Sequence, residues 1–260
     1  MKKKRIRTLL LAMCMAATSC FMGAGASAAI NFTVTTDDLN GIKQPSHQFT
    51  VYLSPSSQYA NLYVNGGNEE MYMRQVAYAM IPYLQQHGIN YVMAKEKRAV
   101  PQSSWGTLLQ DRAAEAKAAG CDLYLAIHSN AAPSASYGTK QGTFIYYYTQ
   151  KPQSLEWAKL LQSVYCYPDK SLIKLTTNDQ LIDMYCPEMP SILVETAYHD
   201  NVSDANWIKA NINQIAKSLA DSVALYREKY YGIPANITSN TPSQSTNDDF
   251  SWITGNIPEK

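Results

Sequence analysis

The chain has 260 residues, which suits one domain of ordinary size with short additional segments. Hydrophobic residues make up 46% and charged residues 17%, a composition that permits a sizeable core and excludes global disorder and collagen-like structure. The formal net charge is +1, from 22 Lys and Arg against 21 Asp and Glu, which argues against a protein that binds nucleic acid over its whole surface.

The first 28 residues have the pattern of a secretory signal peptide. Five basic residues within Lys2–Arg7 precede an apolar run from Leu9 to Phe21, and the small residues Ala26–Ala28 predict cleavage before Ala29. The apolar run is shorter than the ~20 residues that span a bilayer, which favours a cleaved signal over a membrane anchor. A lipoprotein signal ending at Cys20 fits this sequence less well. Cleavage removes five positive charges and no negative ones, so the net charge changes from +1 to −4 and we expect an exported, mildly acidic protein.

Three of the five cysteines remain after the signal is removed, namely Cys121, Cys166 and Cys186. Three thiols allow at most one disulfide, and Cys166–Cys186 is the pair that the sequence suggests. The alternative, in which no disulfide forms, is equally compatible with the sequence because a domain of this size does not need one.

Runs typical of strands alternate with segments of helical periodicity along the chain. In chain order, the predicted elements are strand Gln48–Ser54, helix Glu69–His87, strand Ile89–Ala94, a helix from Ser103 or Ser104 to Ala119, strand Asp122–Ile127, strand Thr143–Thr149, helix Ser154–Tyr165, strand Ser191–Tyr198 and helix Asp204–Tyr230. Pro82 lies inside the first helix and predicts a kink or a break. This alternation predicts an α/β fold, a three-layer αβα domain with a mostly parallel mixed sheet.

The predicted organisation has four parts. A signal peptide covers residues 1–28, and a lead-in covers 29–47. A single domain covers 48–234, and a flexible tail covers 235–260, since that segment is rich in Asn, Ser, Thr and Pro.

Several ionisable residues fall at one edge of the predicted sheet. Ligands of open α/β sheets bind at the carboxyl ends of the strands, and His128, Glu195 and His199 all come at such ends, with Glu69 or Glu70 at the start of the first helix. The other two histidines of the chain, His47 and His87, belong to the opposite, amino-end side. Two histidines and two glutamates at one edge favour zinc, because catalytic zinc takes nitrogen and oxygen ligands and keeps a position for water.

Four stretches of this sequence resemble one family, the zinc-dependent N-acetylmuramoyl-L-alanine amidases of bacterial cell walls (the Amidase_3 group). The resemblance covers about Gln48 to Gly232. The stretches are Val51–Pro55 at the first strand, Glu69 at the first helix, Ala126–Ala131 around His128, and Leu193–Tyr198 at the closing strand. By this resemblance Glu69 and His128 bind Zn²⁺, and Glu195 acts as the general base and acid in cleavage of the amide between N-acetylmuramic acid and L-alanine.

One position departs from the pattern of this family. The first strand of the family ends in a Gly-His-Gly turn whose histidine binds zinc, and Ser57 stands at that histidine position here. A neutral hydroxyl is a poor zinc ligand. His199 is the best substitute, although it would lie ~13 Å from Glu195 on a straight strand, so this role needs a turn after Ala197. A supporting role for His199 beside the metal is the open alternative.

The resemblance implies an enzyme that acts on peptidoglycan or its fragments, and the signal pattern predicts that it is secreted or wall-associated. The near-balanced charge predicts no nucleic-acid partner, and the short apolar run predicts no stable membrane anchor. We expect a monomer. Because Ser57 replaces a ligand, the alternative is a catalytically degenerate, amidase-like module that only binds peptidoglycan. Retention of Glu69, His128 and Glu195 favours the enzyme, since a carboxylate in a cleft is a functional candidate. Other zinc hydrolases are disfavoured because no helix carries the two-histidine protease motif.

Overall fold

The structure is a computed structural model that describes residues 47–95 and 104–237. The predicted signal peptide at 1–28, most of the lead-in at 29–47 and most of the tail at 235–260 lie outside the described residues. No helix in the described ranges is both long and apolar enough to cross a membrane.

Strands and helices alternate through the described chain as the sequence predicts. The strands are β1 (Thr50–Pro55), β2 (Asn90–Met93), β3 (Leu123–Asn130), β4 (Thr143–Tyr147), β5 (Ile173–Thr177) and β6 (Ser191–Tyr198). The helices are α1 (Glu69–Gln86), α2 (Trp105–Ala118), α3 (Pro152–Val164), α4 (Ile182–Tyr185), α5 (Val202–Ala210) and α6 (Ile212–Tyr231). Short 3₁₀ turns at Ser134–Ser136 and Lys170–Leu172 join these elements.

The six described strands form one sheet in the order β2-β1-β3-β6-β4-β5. The β1–β2, β1–β3, β3–β6 and β4–β5 pairs are parallel, whereas β4 runs antiparallel to β6. The sheet is therefore mixed, with its parallel part centred on β1, β3 and β6. The carboxyl ends of these three adjacent strands meet at one edge, which is where the predicted site residues belong.

Helices cover both faces of the sheet. On one face, α1, α3 and α6 bury a large apolar cluster against the strands, and this cluster includes Met80, Trp157 and Leu219. On the other face, α2 and α4 cover a smaller cluster that includes Tyr52, Tyr124 and Met184. Parallel strands need such cover on both faces, so the predicted three-layer αβα fold is confirmed.

Helix α1 continues through Pro82, so the predicted break is absent, and the predicted kink stays a prediction. Two details of the predicted elements were wrong. The predicted helix over Asp204–Tyr230 is two helices, since α5 ends and α6 begins around Asn211, whose φ of −125° departs from helical geometry. Sequence reasoning also missed β5 and α4, because both are short: the alternation of β5 covers only Ile173–Thr176, and α4 has four residues.

Candidate active site

The predicted site residues meet at the carboxyl edge of the sheet. His128 on β3 is paired in register with Glu195 on β6, so the two side chains belong to neighbouring positions. Glu69 begins α1, and Ser57 lies in the turn that follows β1. The other two histidines lie elsewhere: His47 contacts Asp122, and His87 contacts Asp221. Asp122 immediately precedes β3, so His47 lies at the amino end of the sheet as predicted.

A hydrogen bond joins Glu69 and His128. The distance between Glu69 Oε1 and His128 Nδ1 is 2.9 Å, and both side chains are buried. The start of α1 is fixed by Asn68, whose side chain accepts a hydrogen bond of 2.9 Å from the backbone N–H of Met71. Asn61 donates to the second carboxylate oxygen of Glu69, Oε2, at 2.7 Å. Both oxygens of Glu69 are therefore held in place.

This contact sets the protonation of both partners. Burial by itself raises the pKa of Glu69, but the hydrogen bond and charge of His128 outweigh it and hold that pKa below its ordinary value. Burial lowers the pKa of His128, yet the hydrogen bond and negative charge of Glu69 raise it to about 9. Glu69 is thus a carboxylate at neutral pH, and the Nδ1–H of His128 donates to it.

Glu195 has the environment of a proton-transfer group. Its side chain is half-buried, and its Oε2 atom is buried without a hydrogen-bond partner. Burial, helped by the charge of Glu69 and opposed by that of His128, raises the pKa of Glu195 to about 7. A carboxyl whose pKa lies near neutrality can both accept and return a proton at physiological pH.

The hydroxyl of Ser57 is held by a neighbouring cationic side chain. Its Oγ accepts a hydrogen bond of 2.6 Å from Nη2 of Arg112, a buried residue of α2. Nη1 of Arg112 donates to the carbonyl of Pro55 at 2.9 Å and to Ser54 Oγ at 3.1 Å. A guanidinium group thus holds together the turn in which the resemblance expects a zinc-binding histidine.

His199 begins the turn that follows β6, which continues to Tyr198, whereas the sequence-based prediction requires a turn directly after Ala197. Its Nδ1 lies 2.9 Å from Ser129 Oγ and 3.0 Å from the carbonyl oxygen of Ser129. Its ring stacks on Tyr63 at 5.1 Å, and the Tyr63 hydroxyl donates to Ser129 Oγ at 2.9 Å. Burial lowers the pKa of His199, so its imidazole is neutral at physiological pH.

The donor chemistry fits two of the three protein ligands of a catalytic zinc ion. Tetrahedral ligands about 2.0–2.1 Å from zinc lie roughly 3.3 Å apart, whereas Glu69 Oε1 and His128 Nδ1 lie 2.9 Å apart in their hydrogen bond. A metal ion bound by both atoms would take the place of the Nδ1 proton and need only a small separation of the two side chains. Over residues 47–95 and 104–237, no group of three His, Cys, Asp or Glu side chains is arranged to hold a metal ion. The role of His199 as third ligand therefore stays a prediction.

Sequence reasoning missed the importance of Arg112. It lies between Leu108 and Ala116 at four-residue spacing, and all three residues are buried on one side of α2. A charged residue in the apolar stripe of a helix is the signal that would have identified it.

The structure also reveals that Asn61 bridges Gln58 and Glu69, since its side-chain amide donates to both at 2.7 Å.

A three-layer domain with a buried His–Glu pair and a perturbed carboxyl at the edge of its sheet has the arrangement of an α/β domain with a functional site at its strand ends. The sequence profile of the family described as N-acetylmuramoyl-L-alanine amidase (Amidase_3) matches residues 56–224, and the chain belongs to this family.

Known relatives agree with this assignment. The N-acetylmuramoyl-L-alanine amidase LytC of Bacillus subtilis (strain 168) is 28% identical over 205 residues, which are 74% of this chain and 38% of LytC. The chain thus matches well under half the length of that relative.

Two solved structures share the fold. The amidase AmiC2 of Nostoc punctiforme has a TM-score of 0.60 at 20% identity, over 70% of this chain and 99% of AmiC2. An amidase from Clostridium difficile 630 has a TM-score of 0.61 at 20% identity, over 71% of this chain and all of that one.

Proposed function

We propose that this protein is an exported, zinc-dependent hydrolase that cleaves the amide between N-acetylmuramic acid and L-alanine in peptidoglycan. The observation that carries the proposal is the pairing of Glu195 with His128 in register, next to the Glu69–His128 hydrogen bond. Membership of the amidase family gives this arrangement its substrate class.

Glu195 is proposed as the general base and acid. In its ionised form it accepts the proton of the attacking water, and in its protonated form it returns a proton to the departing amine of L-alanine. Its pKa of about 7 leaves both forms available at neutral pH. Glu69 and His128 would hold the zinc ion, which polarises the amide carbonyl when it is bound. Asn61 fixes the carboxylate of Glu69 for that role.

His199 is proposed as the third ligand, as the sequence suggests. The hydrogen bond from Nδ1 to the Ser129 carbonyl is the kind of bond that orients a metal-binding imidazole. We expect the zinc content of a His199→Ala variant to fall well below one ion per chain in metal analysis. His47→Ala is the matched control, because His47 contacts Asp122 at the amino end of the sheet. Undiminished zinc in His199→Ala would exclude His199 as a ligand.

A second candidate function is a peptidoglycan-binding module without catalysis. The observation that favours it is the contact between Ser57 and Arg112, because a guanidinium next to the missing ligand position places positive charge where a cation would bind. Retention of Glu195 with a perturbed pKa favours the enzyme instead.

Release of new L-alanine amino groups from purified cell walls separates the two functions. The enzyme releases them in proportion to protein and time, and removal of zinc by a chelator abolishes the release until zinc is restored. The binding module co-sediments with the walls and releases nothing at any zinc concentration. A Glu188→Gln variant serves as a control, since Glu188 is an exposed carboxylate paired with Lys117.

We also propose that the protein is exported by its signal peptide and acts as a monomer at the cell wall. The basic, apolar and small-residue pattern of residues 1–28 supports export. The test is the amino-terminal sequence of the protein recovered outside the cell, which is expected to begin at Ala29. A retained Met1 terminus in the membrane fraction would contradict it.

A further inference from the structure

We propose that a pocket built around Arg112 binds a carboxylate, and that this carboxylate belongs to the peptide stem of the substrate. This proposal rests on the proposed function, because it assigns the pocket to a part of the same substrate. The pocket is open to solvent, has a cavity volume of about 30 Å³, which suits a single small group, and is lined by Ser57, Gln58, Leu108, Leu109, Arg112 and His128.

The first argument is that Arg112 has no direct ion-pair partner among the described residues. Its side chain is only 2% exposed, yet no carboxylate of the described residues forms an ion pair with it. Its hydrogen bonds go to the hydroxyls of Ser54 and Ser57 and to a backbone carbonyl, all of which are neutral. The buried carboxylate of Asp183 is linked to Arg112 only through the hydroxyls of Tyr124 and Ser54. An anion that enters the pocket can therefore contact this buried guanidinium directly, which no carboxylate of the described residues does.

The second argument is the number of donors left over. A guanidinium has five N–H groups, and the contacts with Ser54, Pro55 and Ser57 use three of them. The Nε atom is buried and has no hydrogen-bond partner. Nε and Nη2 lie on the same side of a guanidinium, and this side binds the two oxygens of a carboxylate by parallel hydrogen bonds.

The third argument is position. His128 lines the pocket and also belongs to the proposed catalytic cluster, so a ligand in the pocket lies next to the amide that would be cleaved. In the substrate, the nearest carboxylate that is not part of the scissile bond is on the residue that follows L-alanine. The pocket thus selects stems in which this residue has a free carboxylate over stems in which it is amidated.

The test compares two ligands that differ only at this group, N-acetylmuramoyl-L-alanyl-D-glutamate and N-acetylmuramoyl-L-alanyl-D-isoglutamine. By calorimetry on the mature chain, we expect the free acid to bind about tenfold more tightly than the amide, as a charge-assisted hydrogen bond implies. Equal affinities would overturn the proposal. Sodium acetate is a third probe, and acetate binding as tight as that of the free acid would overturn the assignment to the stem.

Two substitutions at Leu109 make the test independent of protein folding. Leu109 lines the pocket and is half-buried, so either a Glu or a Lys can extend to solvent there. Leu109→Glu is expected to reduce the preference for the free acid, and Leu109→Lys to keep or increase it. The same change in both variants would contradict a charge-based site.

Arg112→Lys keeps the charge but loses the paired donors, so this variant is expected to lose most of the preference for the free acid. Its thermal unfolding verifies that it is folded.

The two proposals fail separately. Loss of discrimination between the ligands with normal release of L-alanine amino groups rejects the carboxylate pocket alone. Normal discrimination without any release rejects the enzyme and leaves a module that recognises the stem.

Discussion

At residue scale, Ser57 is the position at which the site differs most from the pattern of its family. The hydroxyl of Ser57 is held by Arg112 at 2.6 Å, whereas Glu69 and His128 already face each other at 2.9 Å. A histidine at position 57 would therefore add a nitrogen ligand beside Glu69 and His128, next to the proposed ligand His199.

Ser57→His is therefore expected to bind zinc at least about tenfold more tightly than the wild type, because imidazole is a far better zinc ligand than a hydroxyl. The measurement is competition with a chromogenic chelator at fixed pH. Ser57→Ala is the matched control, since it also loses the contact with Arg112 but adds no ligand. An affinity that is the same in both variants would show that position 57 does not face the metal.

Glu195→Gln is expected to lower amide cleavage by a factor on the order of 10²–10⁴, the usual contribution of a general acid–base group. It keeps the shape of the side chain but cannot transfer the proton. The measurement is the initial rate of amino-group release, compared with the Glu188→Gln control. A rate within a few-fold of the wild type would remove Glu195 from the mechanism.

The Glu195→Gln variant is also expected to change how the stability of the protein depends on pH. Because the folded state raises the pKa of Glu195 to about 7 from an ordinary value near 4.5, the folded protein binds the extra proton between these values. The stabilisation from this group is thus fully present below pH about 4.5 and is lost as the pH rises through about 7. Glu195→Gln is expected to remove this part of the pH dependence of the melting temperature, so an unchanged profile would contradict the raised pKa.

The sequence predicts Glu69, His128 and Glu195 as site residues because motif and strand-end position agree for each. It could not predict that Arg112 holds Ser57, since that contact joins residues 55 positions apart and depends on how α2 packs against the turn after β1. For His199, strand geometry sets the distance from Glu195, but only the fold shows that the ring rests against Tyr63 and Ser129.

At the scale of elements, the start of α1 is what places Glu69. Asn68 has extended backbone geometry and caps the helix through Met71. We expect Asn68→Ala to lower the free energy of unfolding by ~1 kcal/mol and to weaken zinc binding, because the first turn that carries Glu69 loosens. Chemical denaturation and zinc titration measure the two effects.

The matched control is Ser104→Ala, since Ser104 also precedes a helix but its side chain makes no capping hydrogen bond. Its effect on unfolding is expected to stay within about 0.5 kcal/mol. Equal losses in Asn68→Ala and Ser104→Ala would mean that the cap contributes nothing specific.

Elements with a long regular pattern could be predicted, and short or interrupted ones could not. Strand β6 matches its predicted range because a buried run with no Gly or Pro has clear ends. The division between α5 and α6 at Asn211 leaves the apolar period almost undisturbed, so periodicity alone predicts a single helix. The antiparallel direction of β4 depends on tertiary pairing with β6, which a strand pattern does not encode.

At the scale of the whole molecule, packing rather than covalent cross-links holds the described domain together. The apolar cluster between the sheet and α1, α3 and α6 is large and fully buried at its centre. The cysteines within the described ranges are all free, so the suggested Cys166–Cys186 disulfide is absent from this structure. The alternative without a disulfide is the one that the structure has.

We therefore expect the melting temperature of the mature chain to change by less than about 1 °C when dithiothreitol is added. Loss of a native disulfide typically costs ~2–5 kcal/mol and would lower the melting temperature by much more.

Three thiols are expected to react with a thiol reagent after denaturation without reductant. In the native protein at pH 8, Cys121 is expected to react slowest, since it is buried and its pKa is raised to about 11 by burial and by the charge of Asp122. Only one reactive thiol after denaturation, together with a melting temperature that falls by several degrees in reductant, would show that Cys166 and Cys186 are bonded after all.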